Sequence, residues 1–275
     1  MTLNCKDRLI ELSTPKVMGI LNCTPDSFYD GGKYTDEKAI LSQTEKMLNN
    51  GATFIDVGGY SSRPGADYVT EDEELKRMVP LIESLFKNFP DIILSIDTFR
   101  SKVASDCIEA GAAIVNDISA SKLDDQMLAT VAKHRVPYIM MHMKGTPKTM
   151  QQQTQYDDLM VDIVKYFSER IAAANALGIA DIITDPGFGF AKTLEQNYEV
   201  LQKLNLFQSL ERPLLVGISR KSMIYKVLKT DAKNALNGTT ALNMAALMNG
   251  ANILRVHDVK EAYECIKLAE ELMSC

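Results

Sequence analysis

The chain has 275 residues, of which 46% are hydrophobic and 24% charged, and these are the proportions of an ordinary globular protein. They exclude a disordered chain, which would contain too few apolar residues to bury a core. The net charge of −6 excludes a general basic face, so we expect no nucleic-acid partner and only local sites for anions.

The first residues of the chain, 1–15, differ in pattern from the remainder. The segment LNCKDRLIEL alternates weakly between apolar and polar residues, which predicts a small hairpin over the floor of the domain. Across residues 16–275, short apolar runs alternate with longer helical patterns. We therefore predict an N-terminal extension and, after it, one continuous domain.

Eight of the short apolar runs are predicted strands. They are nearly continuous in apolar and β-branched residues, as expected of parallel strands that are covered on both faces. In chain order they read KVMGILN, TFIDVGG, IILSID, AIVNDIS, PYIMMHM, DIITDPG, PLLVGIS and NILRVHD.

Amphipathic segments separate several of these strands. The first predicted helix begins at Asp36, a residue type that caps helix N-termini, and stops at Gly51, a type that ends helices. The second, EDEELKRMVPLIESLFKNF, carries acids in its first turn, which suits the helix dipole, and we expect Pro80 to kink it. Apolar spacing of three and four residues predicts further helices in YDDLMVDIVKYFSERIAAANALG and VKEAYECIKLAEELM.

The alternation of strands and helices predicts an α/β protein with a parallel sheet. Eight such units in roughly 250 residues fit a single-domain (β/α)8 barrel, the TIM barrel. A doubly wound sheet is the alternative, but it usually carries a Gly-rich phosphate turn after its first strand. The segment LNCTPDSF has no GxGxxG there, so we favour the barrel.

Most predicted strands end in polar residues after an apolar beginning. In a barrel these carboxyl ends converge on one mouth, where active sites lie, so we predict the site there. We interpret His142, which lies among methionines, as a packing residue. The polar residues at or just after the strand ends are Asn22, Asp56, Asp97, Asn116, Asp117, His142, Asp185, Ser219, Arg220, Lys221, Arg255, His257 and Asp258.

These residues, with one arginine from the loop GGYSSRPGADY, include two chemical classes. Cationic donors suit a phosphate or carboxylate group, and they are Arg63, Lys221, Arg255 and His257. Acceptors and an amide suit a flat nitrogen heterocycle, and they are Asp97, Asn116 and Asp185. The mouth is thus predicted to hold a heterocycle on one side and a polyanion on the other.

The five cysteines are scattered and form no CxxC, which argues against a disulfide framework or a zinc cluster and favours a reducing compartment. The N-terminus lacks an apolar signal region and no apolar run approaches about 18 residues. We therefore expect a cytoplasmic protein without a membrane partner. The motifs HExxH, Walker A and GxSxG are missing from the sequence.

A set of motifs spans nearly the whole chain, from Val17 to Val259. In order they are MGILNCTPDSFYDGG, DVGGYSSRPGA, SIDT, NDIS, MHMKGTPKTMQ, DPGFGFAKT, GISRKSMI and RVHDV. Together they resemble the dihydropteroate synthase family, whose members are (β/α)8 barrels. The resemblance implies a transferase of folate synthesis that joins 6-hydroxymethyl-7,8-dihydropterin diphosphate to 4-aminobenzoate. The products would be 7,8-dihydropteroate and diphosphate, with diphosphate leaving before the amine attacks.

The same resemblance implies roles for individual residues. The pterin would be bound by Asp97, Asn116, Asp185 and Lys221. The diphosphate would be bound by Asn22, Arg255 and His257, with Asn22 also holding Mg²⁺. The second substrate, 4-aminobenzoate, would be bound by Ser62, Arg63, Pro64, Phe190, Lys221 and Ser222. The catalytic residues would be Asp97, Asp185, Lys221 and Arg63. The resemblance also implies sulfonamides as competitive inhibitors and a homodimer.

One stretch departs from the usual family pattern. Many members read Gly-Gly-Glu-Ser-Thr-Arg-Pro-Gly where this chain reads GGYSSRPG, so Tyr60 and Ser62 replace a glutamate and a threonine. Two alternatives to the synthase remain. A pterin-dependent methyltransferase on a similar barrel would need the pterin site without the diphosphate and benzoate donors, and a paralogue could bind pterin without catalysis. The segments SRKS and SSRPGA favour the synthase.

Overall fold

The structure, a computed structural model, describes residues 1–22, 33–59 and 69–274. Only the backbone is described for Asn22, residues 33–36 and Gln151. The predicted N-terminal hairpin is present and consists of the antiparallel strands β1 (Thr2–Cys5) and β2 (Arg8–Glu11). The two residues between them have positive φ angles of 49° and 65°, as in the tight turns of hairpins.

Eight parallel strands form the central sheet of the described residues. In chain order they are β3 (Lys16–Asn22), β4 (Ala52–Gly58), β5 (Leu94–Asp97), β6 (Ile114–Asp117), β7 (Tyr138–Met141), β8 (Ile182–Asp185), β9 (Leu215–Val216) and β10 (Ile253–Val256). Their hydrogen-bonded order is β8-β7-β6-β5-β4-β3-β10-β9. A parallel bridge between Thr184 and Leu214 joins the two outer strands, and the Thr184 N–H donates to the Pro213 carbonyl at 2.9 Å. These contacts complete the predicted (β/α)8 barrel.

The seventh barrel strand, β9, is much shorter than its apolar run PLLVGIS predicts. It pairs with β10 only through Leu215 and Val216. The reason is a turn directly after it, in which the Lys221 N–H donates to the Ile218 carbonyl at 3.1 Å. The chain therefore leaves the sheet early and brings Lys221 to the mouth of the barrel.

The helices come after the strands and surround the barrel. In chain order they are α1 (Lys33–Asn49), α2 (Glu71–Asn88), α3 (Ser101–Glu109), α4 (Met127–His134), α5 (Leu159–Ala176), α6 (Leu194–Gln202), α7 (Ser222–Tyr225), α8 (Leu236–Met248) and α9 (Val259–Ser274). Short 3-10 helices cover Met150–Gln152 and Leu204–Leu210. No helix in the described residues is long and apolar enough to span a membrane.

Two details of the helices bear on the sequence predictions. The start predicted for the first helix at Asp36 is wrong, because α1 begins at Lys33. An aspartate suits the first turn of a helix as well as its cap, so this residue type alone did not locate the start. Helix α2 continues through Pro80 rather than ending there. It begins with the capping box of Thr70 and Glu73, whose backbone N–H groups each bond the other's side chain.

Strand β4 shows how one strand serves both the core and the mouth. Ile55 and Val57 are fully buried in the apolar layer between the strands and the helices. Phe54 points the other way, into the floor cluster that also contains Leu3 of the hairpin. Asp56 shares the inward face with Phe54 because alternate residues of a strand point to the same side. The barrel interior is therefore apolar at its floor and polar towards its carboxyl end.

Candidate active site

A cavity of about 970 Å³ opens at the carboxyl ends of the barrel strands. Strand ends and the loops after them line it. They contribute Gly58, Asp97, Phe190, Lys192, Lys221, Ser222, Arg255 and His257, among others. The predicted convergence of strand-end residues on one mouth is therefore present, at the face of the barrel where (β/α)8 enzymes hold their substrates.

Arg255 lies between two carboxylates at this mouth. Its Nε donates to Asp56 Oδ2 at 2.7 Å, and its Nη2 donates to Asp97 Oδ2 at 2.9 Å. Asp56 also accepts from Ser95 Oγ at 2.6 Å and from Asn116 Nδ2 at 3.1 Å. The Asp56 carboxylate is buried, and burial of a charge is tolerated only when it is paired and hydrogen-bonded. These bonds fix the orientation of the Arg255 guanidinium.

Asp97 titrates near neutrality in this setting. Burial raises the pKa of Asp97 to about 7, although the Arg255 guanidinium lowers it, and the Asp56 carboxylate adds to the rise. Smaller contributions in the same direction come from Glu74 and Asp117. A carboxyl group with such a pKa can accept or hold a proton at physiological pH, which is a common property of active-site acids.

Lys221 reaches the cavity from the turn after β9. Its Nζ donates to the Phe188 carbonyl at 2.6 Å and lies 5.0 Å from the centroid of the Phe190 ring. Burial lowers the pKa of Lys221 to about 8, although the Asp185 carboxylate opposes this change. Ser222 is the first residue of α7, so its backbone N–H lies at a helix start. Lys221, Ser222 and Phe190 thus lie on one side of the cavity.

Asp185 ends β8 and is held by the loop after that strand. Its Oδ1 accepts from the Gly187 N–H at 2.8 Å, and burial raises its pKa although Lys221 lowers it. Gly187 has a φ of 70°, and a Cβ there would lie 2.2 Å from the His142 carbonyl oxygen. Only glycine fits this position, so DPG in the sequence marks a turn that fixes the Asp185 carboxylate.

His257 comes directly after β10 and lines the same cavity. Its Nδ1 lies 3.1 Å from Ser219 Oγ, and its backbone N–H donates to that oxygen at 3.2 Å. The neighbouring Arg220 makes a two-point ion pair with Asp258, with Nε and Nη2 each 2.8 Å from a carboxylate oxygen. Its Nη1 donates to the Ala232 carbonyl at 2.9 Å. Arg220 and Asp258 therefore organise the backbone around the mouth.

Two of the polar residues at the strand ends are structural, and for His142 this is the packing role interpreted from the sequence. The buried carboxylate of Asp117 accepts from the backbone and hydroxyl of Ser119, the backbone of Ser121 and the hydroxyl of Tyr138. His142 is 2% exposed and packs edge-on against a tyrosine ring whose centroid is 4.9 Å away. Both fix the loops after β6 and β7.

The sequence assigned no role to Asp56 and did not single out Lys192. A signal for Asp56 existed, since it is an acid within the apolar strand TFIDVGG, but its partners could not be read from the chain. Lys192 is 5% exposed, and its Nζ donates to the carbonyls of Gly187 and Phe190 at 3.1 Å each. Nothing in GFAKT distinguishes this lysine from a solvated one.

Several predicted site residues lie outside the described part of the chain. These are Ser62, Arg63 and Pro64, together with Tyr60 and the side chain of Asn22. The backbone of Asn22 is described at the end of β3, where its Cα pairs with that of Gly58. The roles that the resemblance gives to these residues stay predictions.

Comparison with known proteins identifies the family. The sequence model of the pterin binding enzymes matches residues 18–257. A curated relative, the dihydropteroate synthase of Escherichia coli K12, is 43% identical over 276 aligned positions that cover 100% of this chain and 97% of the relative.

Two solved structures resemble the chain along its full length. The Yersinia pestis dihydropteroate synthase in complex with a sulfonamide drug has a TM-score of 0.93 and 44% identity, and each chain is covered to 100%. The Xanthomonas albilineans dihydropteroate synthase in complex with 7,8-dihydropteroate has a TM-score of 0.88 and 33% identity, again with 100% of each chain covered. The family-model match, the sequence identity and the structural similarity show that this chain belongs to the dihydropteroate synthase family of pterin binding enzymes.

Proposed function

We propose that the chain condenses 6-hydroxymethyl-7,8-dihydropterin diphosphate with 4-aminobenzoate, which gives 7,8-dihydropteroate and diphosphate. One observation carries this proposal for the site. One cavity is lined by the ion pair of Arg255 and Asp97 and by the contact of Lys221 with the Phe190 ring. The chain that forms it is 43% identical to a dihydropteroate synthase. The solved relatives bound to a sulfonamide and to 7,8-dihydropteroate support both the substrate class and inhibition by sulfonamides.

For the pterin, we assign Asp97, Asn116, Asp185 and Lys221. The pterin ring carries several N–H groups and a carbonyl, which require acceptors and donors at fixed positions. The carboxylates of Asp97 and Asp185 supply acceptors, and the Lys221 ammonium supplies a donor. All four side chains are held by hydrogen bonds to neighbouring groups, so little conformational entropy is lost when they bind the pterin.

For the diphosphate, we assign Arg255, His257 and Asn22, with Mg²⁺ as the cofactor. Mg²⁺ usually keeps several waters and binds through substrate phosphates and one or two protein oxygens. In the described residues there is no group of three or more acids, histidines or cysteines that could hold a metal ion. We assign Mg²⁺ to a position where the diphosphate holds it, with the amide oxygen of Asn22 as a protein ligand. When bound, Mg²⁺ would neutralise charge on the diphosphate.

For 4-aminobenzoate, we assign Phe190, Lys221 and Ser222, together with Ser62, Arg63 and Pro64 of the loop after β4. The Phe190 ring offers an apolar face for the aromatic ring. The N–H of Ser222 at the start of α7 suits the carboxylate. Sulfonamides present a similar aromatic amine with an anionic tail, so they would compete for the same groups.

The chemistry is set by the charges at the mouth. Diphosphate leaves a carbon attached to an electron-rich pterin, so the bond can break before the amine attacks, and positive charge then spreads over the ring. The carboxylates of Asp97 and Asp185 stabilise that charge, while Arg255 and His257 stabilise the departing anion. An aromatic amine is already neutral at pH 7, so no strong general base is required. We assign the catalytic roles to Asp97, Asp185, Lys221 and Arg63.

We further propose a cytoplasmic homodimer. Large apolar side chains are exposed on the outer surfaces of α8 and α9, namely Met248, Leu268, Leu272 and Met273. A second copy of the chain would cover them, which fits the tendency of such patches to mark interfaces. Sedimentation equilibrium would check this, and a mass equal to one chain at micromolar concentration would contradict it. Buried free thiols at Cys5, Cys107 and Cys265 fit a reducing compartment.

The reaction itself is tested by incubation of the purified chain with pterin diphosphate, Mg²⁺ and radiolabelled 4-aminobenzoate. We expect labelled 7,8-dihydropteroate that depends on both substrates and decreases when a sulfonamide is added. A parallel incubation with EDTA tests the cofactor. Absence of labelled product from folded protein would refute the proposed reaction, and full activity in EDTA would refute the role of Mg²⁺ alone.

A further inference from the structure

The carboxylate of Asp56 is the central member of a hydrogen-bonded network inside the barrel. Its Oδ1 accepts from Ser95 Oγ at 2.6 Å, and its Oδ2 accepts from Asn116 Nδ2 at 3.1 Å and from Arg255 Nε at 2.7 Å. The residue is 1% exposed and does not line the cavity. It therefore acts on any ligand through its partners.

The partners lie on strands on both sides of β4. In the sheet, Ser95 pairs directly with Asp56 on the adjacent β5. Asn116 belongs to β6 and Arg255 to β10, each two strands away from β4 in opposite directions. Alternate strands of a barrel contribute side chains to the same interior layer. Asp56, Asn116 and Arg255 can therefore meet across the interior. Asp56 thus connects the two sides of the mouth.

The contact with Asn116 fixes the direction of its amide. Only the NH₂ end of an amide can donate to a carboxylate, and the reversed orientation would place two acceptor oxygens together. The contacts of Arg255 fix the plane of its guanidinium, because Nε and Nη2 both lie 2.7 Å from Asp56 Oδ2 while Nη2 also donates to Asp97. The side chains assigned to the heterocycle and to the leaving diphosphate are thereby aligned by one carboxylate.

We propose that Asp56 is a positioning residue for the reaction, which orients Asn116 towards the pterin ring and Arg255 towards the diphosphate. This inference rests on the proposed function. It assigns the affinity for the pterin substrate in part to a side chain that touches no substrate. Since 4-aminobenzoate is assigned to other residues, its binding should not depend on Asp56.

The test is the Asp56→Asn variant, which keeps the shape of the side chain and removes its charge. We expect the KM for pterin diphosphate to rise about 10-fold or more, because a buried charged partner of Arg255 is lost. The KM for 4-aminobenzoate should stay within about twofold of the wild-type value. Calorimetry with pterin diphosphate alone should show the same loss of affinity without turnover.

A pH profile provides a second readout, which a loss of stability alone would not move. The Asp56 carboxylate is one cause of the raised pKa of Asp97, so its removal should lower that pKa. The acidic limb of the kcat/KM profile for pterin diphosphate should therefore move to lower pH in the Asp56→Asn variant.

Asp117→Asn is the matched control, because Asp117 is an equally buried carboxylate on β6 whose partners do not line the cavity. We expect lower thermal stability with KM values within about twofold of wild type. If Asp56→Asn does not fold, Asp56→Ser is measured in its place, since it keeps one acceptor oxygen and no charge.

Wild-type KM and an unmoved pH profile in a folded Asp56 variant would overturn the inference. Failure of both variants to fold, while Asp117→Asn folds, would also overturn it and assign Asp56 to barrel stability. An equal rise of the KM for pterin diphosphate in Asp117→Asn would also overturn the inference. Absence of product from the wild-type chain would instead refute the proposed function, so the two failures are distinguishable.

Discussion

Lys192 Nζ lies 3.0 Å from His142 Nδ1, and the same ammonium donates to the carbonyls of Gly187 and Phe190. Three acceptors thus match the three donors of one lysine, which requires Nδ1 of the imidazole to be unprotonated. Burial lowers the pKa of Lys192 to about 7 and lowers the pKa of His142 well below its ordinary value. The pair holds the loop after β8, which carries Phe190 to the cavity.

The Lys192 site predicts a specific dependence of stability on pH. Its pKa of about 7 in the folded protein lies below the value of about 10.4 for an unfolded lysine. Between these values the unfolded chain binds more protons, so the contribution of Lys192 to the free energy of unfolding rises with pH and is lost as pH falls towards 7.

Urea unfolding of the wild type and of Lys192→Met at pH 7, 8 and 9 measures this contribution. We expect the difference in free energy of unfolding, wild type minus variant, to grow by up to about 1.4 kcal/mol per pH unit. Lys203→Met is the control, because Lys203 is exposed and its ammonium pairs with Glu199 on the surface of α6. A difference that stays constant over this range in Lys192→Met would contradict the prediction.

Removal of the charge at Asp185 should reduce turnover without loss of the fold. The carboxylate accepts from the Gly187 N–H, and an asparagine can keep that bond while the stabilisation of a pterin cation is lost. We expect kcat of Asp185→Asn to fall by about 10²- to 10³-fold with an unchanged circular dichroism spectrum.

The control for this variant lies at the opposite end of the same strand. Asp181 precedes β8 at the floor, where its Oδ2 accepts from the Asn4 N–H at 3.2 Å. Asp181→Asn should retain wild-type kcat. A folded Asp185→Asn enzyme with full activity would remove Asp185 from the catalytic residues.

The activity should decline on the alkaline side because Lys221 loses its proton. Burial lowers the pKa of Lys221 to about 8, so the ammonium that binds the pterin is increasingly neutral above that pH. We expect kcat/KM of the wild type to fall above about pH 8. Lys221→Arg, which stays charged, should have lower activity but no decline in this range.

Lys102→Arg serves as the comparison, since Lys102 is exposed on α3 and should leave the profile unchanged. A wild-type profile that is flat to pH 10 would show that the charge of Lys221 is not needed. If kcat/KM of Lys221→Arg also fell above about pH 8, the titration of another group would be the cause.

Much of the fold was predictable because its signals are local. Each strand is a short apolar run, and polar residues lie at or just after most of these runs, so the barrel and its mouth can be inferred from patterns within about ten residues. Asp97, Asp185 and Lys221 were identified in this way, and the structure places them at the mouth or just beneath it. Their assigned substrates came from the family resemblance.

The hydrogen-bond partners were not predictable, because they are distant in sequence. Asp56 bonds residues that are 39, 60 and 199 positions away, and Lys192 bonds His142 across 50 positions. The periodicity of apolar residues does not predict which strands face each other across a barrel interior. The roles of Asp56 and Lys192 therefore required the three-dimensional register, as did the early end of β9.

The N-terminal hairpin should contribute to stability without affecting catalysis. Leu3 is 1% exposed and packs into the floor cluster with Phe54 and Ile114, at the end of the barrel opposite the cavity. Leu3→Ala removes that packing and leaves a void, so we expect the free energy of unfolding to fall by about 2–4 kcal/mol while both KM values stay at wild-type levels. Leu9→Ala is the matched control, because Leu9 on β2 is 73% exposed and should change stability by less than about 0.5 kcal/mol. Equal stability of the two variants in urea unfolding would mean that the hairpin does not pack on the floor, and a raised KM in Leu3→Ala would mean that the floor and the mouth are coupled.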